Sequence, residues 1–106
     1  MMMKEDIQTR PDCAHLLKAL GDETRLLVVK HLLEQPLHVG ELQARIGVEQ
    51  SLLSHHLRLL RESGIVESER DGKAVTYRLA TSVERVRNGR TLDLGCCQLS
   101  FQSSCC

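Results

Sequence analysis

Aromatic side chains are nearly missing. There is no tryptophan, and Tyr77 and Phe101 are the only rings apart from the histidines. With 42% hydrophobic residues in a chain of 106, the core must therefore be aliphatic, supplied mainly by leucine. Long apolar runs are missing too. Nothing approaches the roughly 18 residues of a membrane span, and Met1-Met2-Met3-Lys4-Glu5-Asp6 lacks the apolar stretch of a secretory leader. These absences point to the cytoplasm and exclude a membrane partner. The absence of a nucleophile–base pair and of a Gly-rich phosphate loop argues against an enzyme. No repeat or low-complexity linker divides the chain, and its length fits one domain. A core this small is often completed by forming a dimer.

Net charge is also missing: 14 Lys/Arg balance 14 Asp/Glu. The distribution is uneven. Residues 1–44 hold five Lys/Arg and seven Asp/Glu, a net of −2, while residues 45–90 hold nine and six, a net of +3. A local basic excess of this size permits nucleic acid binding without requiring it. Of the five cysteines, four lie in the last eleven residues as Cys96-Cys97 and Cys105-Cys106. The odd count and this clustering argue against a disulfide framework. In a reducing compartment the thiols should be mostly free, and they point to metal, metalloid or redox chemistry.

The periodicity organises the chain into a flexible leader over 1–9, a folded unit over 10–80 and a C-terminal segment over 81–106. Pro11 suits a first helical turn, and Cys13, Leu16, Leu17 and Leu20 then form one apolar face. Gly21 closes that helix and Asp22 caps the next. The second helix runs over about 23–34 with Leu26, Val29, Leu32 and Leu33 inward, and Pro36 ends it. A short helix over 39–46 presents Val39, Leu42 and Ile46 and stops at Gly47. A stronger one over 50–63 presents Leu53, Leu57 and Leu60 and stops at Gly64. Two helices around a short Gly-containing turn make a helix-turn-helix. Val75, Tyr77 and Leu79 then alternate as in a strand, and Asp71-Gly72 is a two-residue hairpin signal, so 65–70 should pair with 73–79. The expected fold is mainly α with a β-hairpin wing, a winged helix-turn-helix. Residues 81–90 read as a short last helix capped by Thr81 or Ser82 and broken at Asn88-Gly89.

On the 50–63 helix, Gln50, Ser51, Ser54, His55 and Arg58 share a polar side. The major groove of double-stranded DNA admits one helix, and short polar side chains near its N-terminus read base edges there. Arg70 and Lys73 flank the hairpin tip, placed to hold a phosphate backbone. A solvated helix face would look the same; the wing that follows the helix-turn-helix favours DNA. His15 and His31 read as surface residues of their helices and His56 as a packing residue, leaving His55 as the histidine for DNA.

Three stretches carry a family resemblance. Ala19-Leu20-Gly21-Asp22-Glu23-Thr24-Arg25-Leu26 resembles the opening signature of the ArsR/SmtB repressors. Ser51-Leu52-Leu53-Ser54-His55-His56-Leu57-Arg58-Leu59-Leu60-Arg61-Glu62-Ser63-Gly64-Ile65-Val66 is similar to their recognition helix and its exit. Arg70-Asp71-Gly72-Lys73-Ala74-Val75-Thr76-Tyr77-Arg78-Leu79 resembles their wing. The resemblance spans about residues 11–80 and implies a homodimeric repressor that leaves its operator when an inducer binds, with no cofactor needed for DNA binding. Glu49 departs from it, standing where the family often has a Ser or Thr cap.

The resemblance also bears on the inducer. Arsenic sensors of the family often carry a cysteine pair at the start of the short third helix; Leu37-His38-Val39-Gly40-Glu41-Leu42 has none. Zinc sensors use histidines and carboxylates on a long last helix; no histidine follows His56. Cys96-Cys97 with Cys105-Cys106 resembles the C-terminal cysteines of other arsenic-responsive members, which implies As(III) or Sb(III) as inducer and these four thiols as its ligands. Soft thiolates suit such ions. Adjacent side chains of an extended strand point to opposite faces, so Cys96 and Cys97 converge only if the backbone bends, which Gly95 makes easier. Cys13, on an apolar helix face, reads as a small buried hydrophobe. Other readings are a thiol redox or sulfide sensor of the same fold, a sensor of a soft divalent ion, or a thiol-rich metal carrier or protein-interaction module on a winged-helix frame.

Overall fold

The computed structural model describes residues 13–81, 83–85 and 90–101. The expected leader, Pro11, Cys105 and Cys106 lie outside them. Helix α1 (Cys13–Ala19) is followed by α2 (Glu23–Leu32), β1 (Leu37–His38), α3 (Val39–Ile46), α4 (Gln50–Glu62), β2 (Val66–Asp71) and β3 (Ala74–Leu79). Three short strands close the described chain: β4 (Glu84–Arg85), β5 (Thr91–Asp93) and β6 (Gln98–Ser100).

Local chemistry sets the helix ends. Asp22 caps α2, its Oδ2 accepting from the backbone N–H of Thr24 at 2.9 Å and of Arg25 at 3.1 Å. The amide of His38 donates to Glu41 Oε1 at 2.8 Å and starts α3. Gly47 ends α3 at φ +81°, where a side chain would be strained. Gly64, at φ +85°, ends α4 while the Ile65 amide reaches back to the Leu60 carbonyl at 3.1 Å. Glu49 makes no side-chain cap at the start of α4, as its chemistry foretold.

α1 to α4 pack around leucines and valines. Leu42, Leu53, Leu57, Leu60, Val28 and Val29 have no exposed surface. Leu16 and Leu20 join this core, whereas Leu17, expected beside them, is 44% exposed. β2 and β3 form the expected antiparallel hairpin from Val66↔Leu79 to Asp71↔Ala74. The two-residue loop is Gly72-Lys73, one residue later than expected, with Gly72 at φ +67°. β1, too short for a periodicity signal, adds a third strand through Leu37↔Tyr77 and His38↔Thr76.

After the wing the structure corrects the sequence reading. The expected helix over 81–90 is replaced, where it is described, by a turn at Thr81 and strand β4. The Thr81 amide donates to Glu67 Oε2 at 3.1 Å, turning the chain over β2. Arg85 then pairs with Leu92, and Leu92 with Leu99, giving a small antiparallel sheet in the order β4-β5-β6. This arrangement buries Val83, Leu92, Leu94 and Phe101 in the same cluster as the helical leucines, which a surface helix broken at Asn88-Gly89 would not do. Among the described residues no helix is long and apolar enough to cross a membrane.

Candidate nucleic-acid interface and thiol cluster

Burial of Leu53, His56, Leu57 and Leu60 turns the opposite side of α4 outward. Between that side and the wing lies an open groove of about 780 Å³ lined by Glu49, Gln50, Ser51, Ser54, His55, Arg58, Arg61 and Tyr77. All five α4 residues singled out in the sequence line it. Glu49, Arg61 and Tyr77 were missed: the first two lie at the ends of the polar stripe, and Tyr77 reads locally only as a strand residue. Arg58 Nη2 lies 3.2 Å from His55 Nδ1, and Arg61 Nη1 3.5 Å from Ser68 Oγ on β2. Arg70 and Lys73 are exposed at the wing tip, away from the groove lining. Arg78 is engaged within the wing, 2.7 Å from Glu69 Oε1 and 3.6 Å from Glu67 Oε1. The hydrogen bond and charge of Glu69, with Glu67 adding, raise its pKa.

α4 is tied to the helices beneath it by a polar contact. His56 is 8% exposed, and its Nδ1 lies 3.0 Å from Arg25 Nη1. Because the guanidinium only donates, Nδ1 must accept and Nε2 carries the proton, facing Asp22 Oδ2 at 3.8 Å. Arg25 Nε in turn donates to the Ala19 carbonyl at 2.6 Å, joining the end of α1, the cap of α2 and the middle of α4. Burial lowers the His56 pKa from 6.5; Asp22 opposes this, while Arg25 and His55 add to it. His56 is therefore neutral when folded and takes a proton more readily when unfolded. Its contribution to stability is present above pH 6.5 and is lost as pH falls through the lower, folded-state pKa. Urea unfolding near neutral pH and near pH 5 should show this loss, and His56→Gln should flatten it. An equal pH dependence in the variant would remove His56 from the account.

The second constellation joins the two ends of the described chain. Cys13, at the start of α1, and Cys96, in the turn after β5, form a disulfide with Cα atoms 5.9 Å apart. Cys97 Sγ lies 3.1 Å from Cys13 Sγ and 3.9 Å from Cys96 Sγ. The three sulfurs fall within 4.8 Å of one another, with Cys96 exposed and the other two half-buried. Gly95, at φ +91°, supplies the bend, and the Leu94 amide closes the turn on the Cys97 carbonyl at 2.9 Å. Two expectations are corrected. Cys13 is not a buried hydrophobe: the tail sheet, docked on the core, brings the Cys96-Cys97 turn against it. And a disulfide forms despite the odd count, because that docking places Cys13 and Cys96 at bonding distance.

Residues 22–68 match the family model of bacterial regulatory proteins, arsR family. The biofilm growth-associated repressor of Xylella fastidiosa is 47% identical over 79 residues, 74% of this chain and 69% of that protein. The chain belongs to the arsR family. Two solved structures are similar to the regulator. Reduced HlyU from Vibrio cholerae N16961 has a TM-score of 0.65 at 37% identity, over 76% of this chain and 81% of that one. The homodimeric winged helix-turn-helix DNA-binding domain Mb0332 from Mycobacterium bovis, described as a possible ArsR-family regulator, has a TM-score of 0.62 at 29% identity, over 65% and 64%. The regulator is a winged helix-turn-helix DNA-binding protein of transcription and not an enzyme.

Proposed function

We propose that the regulator is a repressor that binds double-stranded operator DNA as a homodimer and is released by a thiophilic inducer, As(III) or Sb(III). Residues 10–80 serve as the DNA-binding unit and 81–106 as the sensor and dimerisation segment. The observation that carries the sensor reading is the convergence of Cys13, Cys96 and Cys97. A soft metalloid takes thiolates, and the three sulfurs that lie within 4.8 Å of one another would, once the bridge is reduced, suit one ion. Cys105 and Cys106 are further candidate ligands. Gln50, Ser51, Ser54, His55 and Arg58 would read bases from α4 while Arg70 and Lys73 hold phosphates. The homodimer of Mb0332 supports the assembly, and a twofold protein implies an imperfectly palindromic operator with half-sites whole helical turns apart.

Titration of the reduced protein against DNA from upstream of its own gene tests this reading. Ser54→Ala or His55→Ala should each weaken binding by about 1–3 kcal/mol without altering the fold. Arsenite should lower the affinity of the parent roughly 5–150-fold, and Cys13→Ser should bind DNA but no longer respond. Full response in Cys13→Ser would return the site to the tail cysteines alone. The Cys13–Cys96 bond favours one second reading, a redox or sulfide sensor. Release by an oxidant or polysulfide, with none by arsenite, would establish it instead.

A further inference from the structure

In the oxidised chain the Cys97 thiol sits beside the Cys13–Cys96 bridge, nearer to Cys13 Sγ at 3.1 Å than to Cys96 Sγ at 3.9 Å. Among the described residues it is the one cysteine left free. Chain geometry decides which sulfur it can attack. Attack on Cys96 would join neighbouring residues, whose Cα atoms are held about 3.8 Å apart, short of the roughly 4.4–6.8 Å that a disulfide prefers. Attack on Cys13 has no such obstacle, since Cys13 belongs to another element and Cys97 sits in a turn that bends at Gly95, φ +91°, with open space where a side chain would stand.

We propose that Cys13 is the common partner of two interchangeable disulfides, Cys13–Cys96 and Cys13–Cys97. The inference rests on reading the three-sulfur cluster as the sensor. The bridge forms when Cys13 and a tail thiol reduce an external disulfide such as oxidised glutathione: two protein thiols become one bridge, and the oxidant leaves as two thiols. Exchange then needs no further oxidant. The Cys97 thiolate attacks Cys13 Sγ, the Cys13–Cys97 bond forms and the Cys13–Cys96 bond breaks. Cys96 departs as a thiolate and takes the proton that Cys97 gave up. Exchange moves the anchor of α1 by one residue along the tail. In either bridge Cys13 is withdrawn as an ion ligand, so oxidation and metalloid capture exclude each other at this site. Oxidation therefore needs Cys13 and either tail thiol, whereas a three-thiolate ion needs Cys13 and both.

The test uses the full-length chain without DNA or arsenite, so its failure is separable from failure of the repressor reading. The protein is oxidised with glutathione disulfide, its free thiols are capped with N-ethylmaleimide in acid, and tryptic peptides joined by a disulfide are sequenced by mass spectrometry. Two joined species are expected between the peptide containing Cys13 and the one beginning at Thr91, one capped at Cys97 and the other at Cys96. On non-reducing gels, Cys96→Ser and Cys97→Ser should each still bridge internally, and Cys13→Ser should not. Capping at Cys97 alone, together with loss of the bridge in Cys96→Ser, would overturn the proposal. So would bridges that run through Cys105 or Cys106 in either single variant.

Discussion

Leu57→Ala is expected to cost about 2–5 kcal/mol of folding stability, a large part of the roughly 5–15 kcal/mol available to a domain of this size. Leu57 has no exposed surface and lies on the buried side of α4 beside Leu53 and Leu60. Truncation removes its transfer free energy and leaves a cavity. The side chains around Leu57 close such a cavity only in part. The loss should appear as a lower urea midpoint. Leu57→Met, which nearly conserves volume, should cost less than about 1.5 kcal/mol. Equal midpoints for Leu57→Ala and the parent would contradict the placement of this side chain.

The other large effect concerns the bridge between the chain ends. The Cys13–Cys96 bond spans a sequence separation of 83. On the loop-closure relation, a bridge of that span destabilises the unfolded chain by about 4.5 kcal/mol near room temperature. Oxidised protein should therefore melt more than about 10 °C above protein held in reductant. Cys13→Ser should melt at the reduced temperature whatever the redox buffer. Coincident melting of the oxidised and reduced parent would show that the bridge does not constrain the chain as described.

The parts of the fold legible in the sequence were those with local causes. The stripe of Leu53, Leu57 and Leu60, the cap at Asp22 and the stop signals at Gly47 and Gly64 each act within a few residues of themselves. The same holds for the five polar residues of α4, because placing them in one groove requires only helical spacing and a buried opposite face. The parts that were not legible depend on distant partners. β1 has two residues and exists because Tyr77 and Thr76 lie opposite. In the tail, Leu92 and Leu94 alternate as a strand would, but a run this short is decided by docking on the core rather than by its own pattern. Cys13 is the clearest case: nothing near residue 13 tells that Cys96 and Cys97 will arrive beside it.

The engagement of Arg78 by Glu67 and Glu69 also bears on how fast an operator is found. Two acidic residues on β2 offset a cation of the wing, and the chain as a whole carries no net charge. Steering toward phosphates is then left to the local excess of +3 over residues 45–90. On the proposed reading, contacts of the groove beside α4 with base edges would set how long the protein stays on its operator. A sensor that acts on residence time needs only to loosen a complex already formed, and it needs no change in the field that the protein presents at a distance.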